Sequence, residues 1–216
     1  MTATVTAELW SDWPCAGGTR LGMLTLARGT YSDAVDNSDA LSATVLDDTR
    51  ATPALRRVVM LTDPAGVLRG YRLAAAGRTR TDRLWAIRGA SALTDLASYG
   101  LVRTISGGLT SYAVGGRYTA TEFIDTLVLA NLSADGLSHW ARGTIDTTGY
   151  ETITAPEAGW TRLEWCREVA DRFGLELRAR FNGSTSILID LVTRTGGTAT
   201  AVHVAFGKNL IRLQDD

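Results

Sequence analysis

The chain has 216 residues, with 22 basic and 23 acidic side chains, a formal net charge of −1 and 45% hydrophobic residues. That balance excludes a disordered polymer, which carries fewer apolar residues and more net charge, and argues against a general nucleic-acid binder, which carries a basic excess. No apolar run approaches the ~20 residues of a membrane-spanning helix, and Met1-Thr-Ala-Thr-Val-Thr-Ala-Glu8 lacks the basic and apolar regions of a signal peptide.

Taken in chain order, the first ninety residues read as strands. Thr4–Trp10 is apolar and β-rich until Trp13-Pro14-Cys15-Ala-Gly-Gly18 breaks it. Leu21–Ala27 alternates, Asn37-Ser38-Asp39 punctuates, and Leu41–Leu46 follows. Arg57–Leu61 leads into Asp63-Pro64-Ala65-Gly66, which has the grammar of a tight turn. Val67–Ala75 and Arg83–Arg88 are further strands. Short strands with turn signals every 8–12 residues suggest a barrel or a sandwich.

From Ala90 the texture changes. Ser91–Ser98 is a short helix candidate, and Ser106-Gly107-Gly108 and Gly115-Gly116 mark loops. Thr119-Ala-Thr-Glu122 is a capping box, in which hydroxyl and carboxylate each satisfy a free N–H of the first turn. Phe123, Ile124, Leu127, Val128 and Ala130 continue it at helical spacing, predicting a helix that ends near Asn131–Ser133. Thr161-Arg-Leu-Glu164 repeats the device, with Leu163, Cys166, Val169, Ala170 and Phe173 as the stripe and Gly174 as the stop. The period then switches to two: Leu175, Leu177, Ala179 and Phe181 alternate with charged residues up to Asn182-Gly183, the signature of a tight hairpin. Ile187, Ile189 and Leu191 return on one face. Ala199–Phe206 and Leu210–Leu213 read as closing strands.

Residues that carry chemistry are sparse. Lys208 is the single lysine among the basic residues, a bias that a GC-rich genome produces; its physical consequence is that arginine forks, which suit planar bidentate pairing at interfaces, carry the positive charge. Cys15 and Cys166 allow one disulfide but no disulfide framework, and read rather as two reduced thiols, Cys166 buried in its helix stripe. His139 and His203 lack any metal-ligand neighbour at short spacing. Asp33, Asp36 and Asp39 form either an Asx-rich loop or an oxygen cage for a hard cation, without the EF-hand pattern. The tryptophans Trp10, Trp13, Trp85, Trp140, Trp160 and Trp165 share no spacing. No nucleophile elbow, phosphate loop, dinucleotide fingerprint or zinc-protease motif is present. The expectation is a non-enzyme with no catalytic residue, no cofactor and no metal site. Two alternatives stand beside it. One is a ligand- or glycan-binding β-barrel module using Trp10, Trp13 and Trp140. The other is a carboxylate hydrolase using Glu151 and Glu157.

The order of elements carries a resemblance. Val35-Asp-Asn37 precedes Leu41-Ser-Ala-Thr-Val-Leu46, then Gly70-Tyr71-Arg-Leu73, Leu84-Trp-Ala-Ile87, the two helices, Leu175-Glu-Leu-Arg178, Ile187-Leu-Ile-Asp190 and the closing phrase Phe206-Gly-Lys-Asn209-Leu210. This layout resembles the central hub proteins of phage tails, the tail-tip hub of long-tailed phages and the related baseplate hub of contractile tails. The resemblance implies an α+β, mostly β fold: small antiparallel β-barrels with an inserted α+β region carrying two helices. It implies an N-terminal tube-like barrel over 1–90, an α+β region over 91–174 with helices near 119–132 and 161–173, and a hairpin with closing strands over 175–216. It further implies a homotrimer that caps or extends the tail tube. Its partners would be the distal tail or tail tube protein, the tape-measure protein, and tip or fibre proteins. DNA would meet it only by passage through the lumen. The place is the virion tail, assembled in the host cytoplasm. Family members are longer after the Asn-Leu phrase, so the chain is either a minimal hub or the front of a longer one.

Overall fold

The computed structural model describes residues 5–31, 40–46, 52–79, 84–98, 104–105, 108–109, 117–129, 132, 136–147, 149–152, 161–183, 185–193, 202–205 and 212–213. The chain forms two compact units. One comprises Met1–Ala92, Phe181–Ser186 and Gly196–Asp216, the other Leu93–Arg180 and Ile187–Thr195.

The first unit contributes β1 (Thr6–Trp10), β2 (Arg20–Leu24), β3 (Leu26–Tyr31), β4 (Leu41–Leu46), β5 (Val58–Thr62), β6 (Leu68–Thr79) and β7 (Leu84–Ser91). The second carries β8 (Thr104–Ile105), β9 (Gly108–Leu109), β10 (Arg117–Thr119), α1 (Ala120–Phe123), β11 (Trp140–Ile145), β12 (Tyr150–Thr152), α2 (Arg162–Arg172), β13 (Leu175–Asn182, whose tip belongs to the first unit) and β14 (Ser186–Thr193). The chain then returns to the first unit with β15 (Val202–Ala205) and β16 (Arg212–Leu213). The fold is α+β and mostly β.

A nine-stranded sheet in the order β16-β15-β3-β4-β7-β6-β5-β1-β2 dominates the first unit. Among the described residues its ladders are antiparallel. Alternation decides the faces. On β4, Leu41, Ala43 and Val45 are buried while Ser42 is exposed, the period-two pattern of a half-buried strand. Leu9, Leu24, Tyr31, Val59, Tyr71 and Ile87 join them in the core. On β5, Val58 and Met60 are buried as well, so both of its faces are covered. Met60 shares its surroundings with Gly70, Trp13 and Phe181. A Cβ at Gly70 would lie 2.4 Å from the Phe181 ring and 2.7 Å from Trp13, so only glycine leaves room there. Trp13 and Phe181 pack with ring centroids 5.5 Å apart.

The expected closed barrel is not what the hydrogen bonding shows. Among the described residues the sheet is open, with β2 and β16 at its edges. One stretch of chain nevertheless links two distant strands of the row. β2 lies on β1 and β3 lies on β4, with Thr25 alone between them. The Thr25 carbonyl accepts from the Leu46 N–H at 2.9 Å. The expected strand at Leu21–Ala27 is thus two strands with different neighbours.

The turn at Asp63-Pro-Ala-Gly66 forms as expected. Asp63 Oδ1 accepts from the N–H groups of Ala65 and Val67 at 2.9 and 2.8 Å, and Gly66 takes φ +83°.

In the second unit both capping boxes form, Thr119 with Glu122 and Thr161 with Glu164. The helix expected over 119–132 is shorter. After α1 the chain widens into a π-helical turn over Ile124–Val128, with Leu129 N–H donating to the Ile124 carbonyl. The Arg162 guanidinium, buried, donates to the Val128 carbonyl at its end. α2 buries Leu163, Cys166, Val169 and Ala170 as the stripe predicts, and Trp165 besides, whose ring meets Phe123 at 5.0 Å. β11, β14 and β13 form a three-stranded sheet in that order, with β11 and β14 parallel.

Candidate functional site

The charged groups of the described residues are mostly held in pairs. Arg20 meets Glu8 at 3.0 Å, and Arg72 meets Asp12 at 2.9 Å while stacking on Trp13 at 5.0 Å. Arg69 bonds Asp63 and lies over the Tyr31 ring at 5.3 Å. Burial pushes the Asp63 carboxyl up, but the Val67 N–H and the Arg69 guanidinium outweigh it and hold the group below the usual carboxylate range. Arg142 bonds Asp125, and Arg172 meets Glu168 one helical turn away.

The most built of these clusters surrounds Asp190, 5% exposed on β14. It accepts from Arg180 Nε at 2.7 Å, Arg180 Nη2 at 3.1 Å and the Thr144 N–H at 2.6 Å. The bond to Asp190 raises the Arg180 pKa above its ordinary value. The register of β11 against β14 slips between Arg142 and Ile145, and this irregularity presents the Thr144 N–H to the carboxylate. Every element here is acceptor and donor in balance, which is the design of a structural lock rather than a catalytic pair. The sequence did contain the signal: a lone carboxylate inside the apolar run Ile187-Leu-Ile-Asp190-Leu-Val.

The residues singled out from the sequence fall as follows. Trp13 and Trp140 are buried, which removes them as a stacking surface, while Trp10 is partly exposed with its Nε1 on Glu8 at 3.1 Å. Trp165 belongs to the second unit's core and Trp85 flanks the first. Trp160 lies outside the described residues, as do Asp33, Asp36, Asp39, Glu157 and the Phe206–Leu210 phrase. Glu151 sits on β12 opposite Tyr118. His139 is buried beside Trp140, and His203 is on β15 in register with Thr30. Cys15 is half-buried and Cys166 fully buried, both free; burial pushes the Cys166 thiol up to about 12. Among the described residues no group of three His, Cys, Asp or Glu is placed to hold a metal ion. Among them, too, no helix is long and apolar enough to cross a membrane.

The outer face of β3, β4, β7 and β6 is different in kind. Register aligns Thr30, Ser42, Arg88 and Ala75 in one row, and Arg28, Thr44, Ala86 and Gly77 in the next. Ser42, Arg88, Ala75, Arg28, Ala86 and Gly77 are exposed. Sequence reading passed over these arginines because each sits alone in its own strand and only pairing brings them to one face.

No protein-family profile matches the chain, and no curated protein matches it by sequence. Solved structures do share its fold. The chain is similar to the tail protein from Neisseria meningitidis MC58, with a TM-score of 0.51 and 8% identity over 86% of this chain and 50% of that one. It is also similar to the 43 kDa tail protein of prophage MuSo2 from Shewanella oneidensis, with a TM-score of 0.51 and 11% identity over 90% of this chain and 57% of that one. The chain therefore spans about half the length of either structure. What is shared at such identities is the fold, a fold used by tail proteins.

Proposed function

We propose that the chain is a structural, non-enzymatic component of a phage tail, and within the tail a hub at the tip. In this reading three copies form a closed ring that caps or extends the tail tube. The ring binds the distal tail or tube protein on one side and tip or fibre proteins on the other, and the tape-measure protein and DNA pass through its lumen. The observation that carries the reading is the fold it shares with two tail proteins over most of its length. The charge pairing agrees with it: Glu8, Asp63 and Asp190 are each taken up by a guanidinium, the pattern of structural ion pairs. A trimer is a cyclic assembly of the kind that closes on itself.

The test combines two measurements. Mass photometry of the purified chain reads the subunit number, with a trimer expected. Immunogold electron microscopy of tails made with a tagged chain reads its place, with label at the tip expected. A stable monomer together with unlabelled tails overturns the reading. Label along the whole tube keeps the tail and removes the hub.

A further inference from the structure

Arg28 and Arg88, like Arg56 and Arg57, are not held on a carboxylate among the described residues, but only Arg28 and Arg88 of these four lie together on one face of the sheet. Arg20, Arg69, Arg72, Arg142 and Arg180 are each held on a carboxylate. Arg28 and Arg88 form no ion pair among the described residues. Among the described residues Arg28 Nε reaches the Thr44 hydroxyl, at 3.4 Å. Both are exposed, and both lie on the outer face of one sheet. They are two strands and two residues apart, roughly 12 Å at strand spacings of ~4.8 Å and rises of ~3.4 Å. Their neighbours in the two register rows are Thr30, Ser42, Ala75, Thr44, Ala86 and Gly77, and on β15 His203 beside Thr30 and Ala205 beside Arg28. None is acidic, and none is large and apolar.

We infer that this face is where the phosphate backbone of duplex DNA runs past the subunit; the inference rests on the tail reading above and names its DNA-facing surface. Arginine forks match phosphate oxygens bidentately, and Ser and Thr hydroxyls add neutral donors. The small side chains keep the surface low, so a rigid rod can come within reach of both guanidiniums. A protein partner would want an apolar centre, and the exposed apolar side chains of the described residues, Met23, Leu55 and Val67, lie outside these rows. Two phosphate contacts give a shallow affinity, which suits a surface that DNA passes rather than one that retains it. Each contact lowers the logarithm of the binding constant by about 0.9 per tenfold rise in salt.

The test is fluorescence anisotropy of a fluorescein-labelled 30-bp duplex with the purified chain, across low to physiological sodium chloride. The expected slope of log K against log salt is near −2 per bound subunit, shallower by about 1 in Arg28→Ala and in Arg88→Ala. Arg28→Glu with Arg88→Glu is expected to abolish binding, while Arg20→Ala leaves the slope unchanged. Far-UV circular dichroism checks that each variant folds. Absence of salt-dependent binding by the wild-type chain overturns the inference. So does a double variant that binds DNA normally, or one that changes self-association instead, which makes the face a subunit interface. Incorporation of the same variants into tails is scored separately by electron microscopy. If the wild-type chain enters tails without binding DNA, only the face assignment falls. If it binds DNA through these arginines but never enters tails, the tail reading falls.

Discussion

The Asp190 lock makes a quantitative double-mutant prediction. A Cβ built at Gly143 would sit 1.9 Å from Asp190 Oδ1 and 3.0 Å from Leu188 Cβ. Gly143 is not among the residues of positive φ, so alanine there meets a steric obstacle and not a torsional one. The carboxylate cannot swing aside without losing the Thr144 N–H and the Arg180 fork. Gly143→Ala therefore costs what displacing Asp190 costs. A hydrogen bond to a charged group contributes about 1.5–3 kcal/mol, and a stranded donor costs about 1–3 kcal/mol, so each of Gly143→Ala and Asp190→Ala is expected to lose about 3 kcal/mol. Independent sites would add to about 6 kcal/mol, whereas a shared mechanism keeps the double variant near 3 kcal/mol, a coupling of about 3 kcal/mol. Urea denaturation measures the three variants, and hydrogen exchange of peptides from β11 and β14 localises the loss. A double variant that loses the sum of the singles, within about 0.5 kcal/mol, refutes the argument.

Further outcomes are expected from packing, capping and thiol burial elsewhere in the chain. Trp13→Ala is expected to lose about 3–5 kcal/mol, and Gly70→Ala about 1–3 kcal/mol by driving a methyl into the Phe181 and Trp13 rings; thermal melts check both. Thr161→Ala should cost about 1 kcal/mol at neutral pH. The Thr161 N–H and then its hydroxyl hold the Glu164 carboxyl below its ordinary value, so this stabilisation is complete above the usual carboxylate range and is lost as pH falls through the lower folded value. Glu164→Gln should accordingly flatten the acid limb of the stability curve, read by urea midpoints between pH 5 and about 3. In native protein, Ellman's reagent should titrate Cys15, slowly because burial raises its pKa. It should reach Cys166 only after denaturation.

Local grammar was legible. The two Thr-x-x-Glu boxes, the Asp63 turn and the in-out alternation of β4 need only neighbours within a few residues, and each formed as expected. The Asn182-Gly183 turn is looser than its sequence suggests, with Thr185 N–H closing on the Asn182 carbonyl before β14 begins. What escaped was decided at long range. β11 carries Arg142, Gly143 and Thr144 in a run without apolar alternation, and it is a strand because β14 lies parallel to it. The widening at Ile124–Val128 follows from no residue type that differs from an ordinary helix, and its last carbonyl is met by Arg162, 34 residues later. Trp13 looked like a loop residue beside Pro14, yet it is fully buried, with the Phe181 ring packed on it and Gly70 leaving room for both rings. Of the site, the lone carboxylate in the apolar run Ile187-Leu-Ile-Asp190 was readable, but its pairing and the shared face of Arg28 and Arg88 required the register.

The single residue between β2 and β3 has a mechanical meaning. Because Arg20–Tyr31 is bonded to β1 through its first half and to β4 through its second, a tension applied along it is resisted by both ladders at once. β2 by itself, at the edge of the sheet, would unzip one hydrogen bond at a time, but its continuation through Thr25 into β3 ties it to a second ladder. Thr25 is thus the rivet of the unit. An insertion there, even of two flexible residues, would let the halves yield in turn and convert a shear joint into a peel joint.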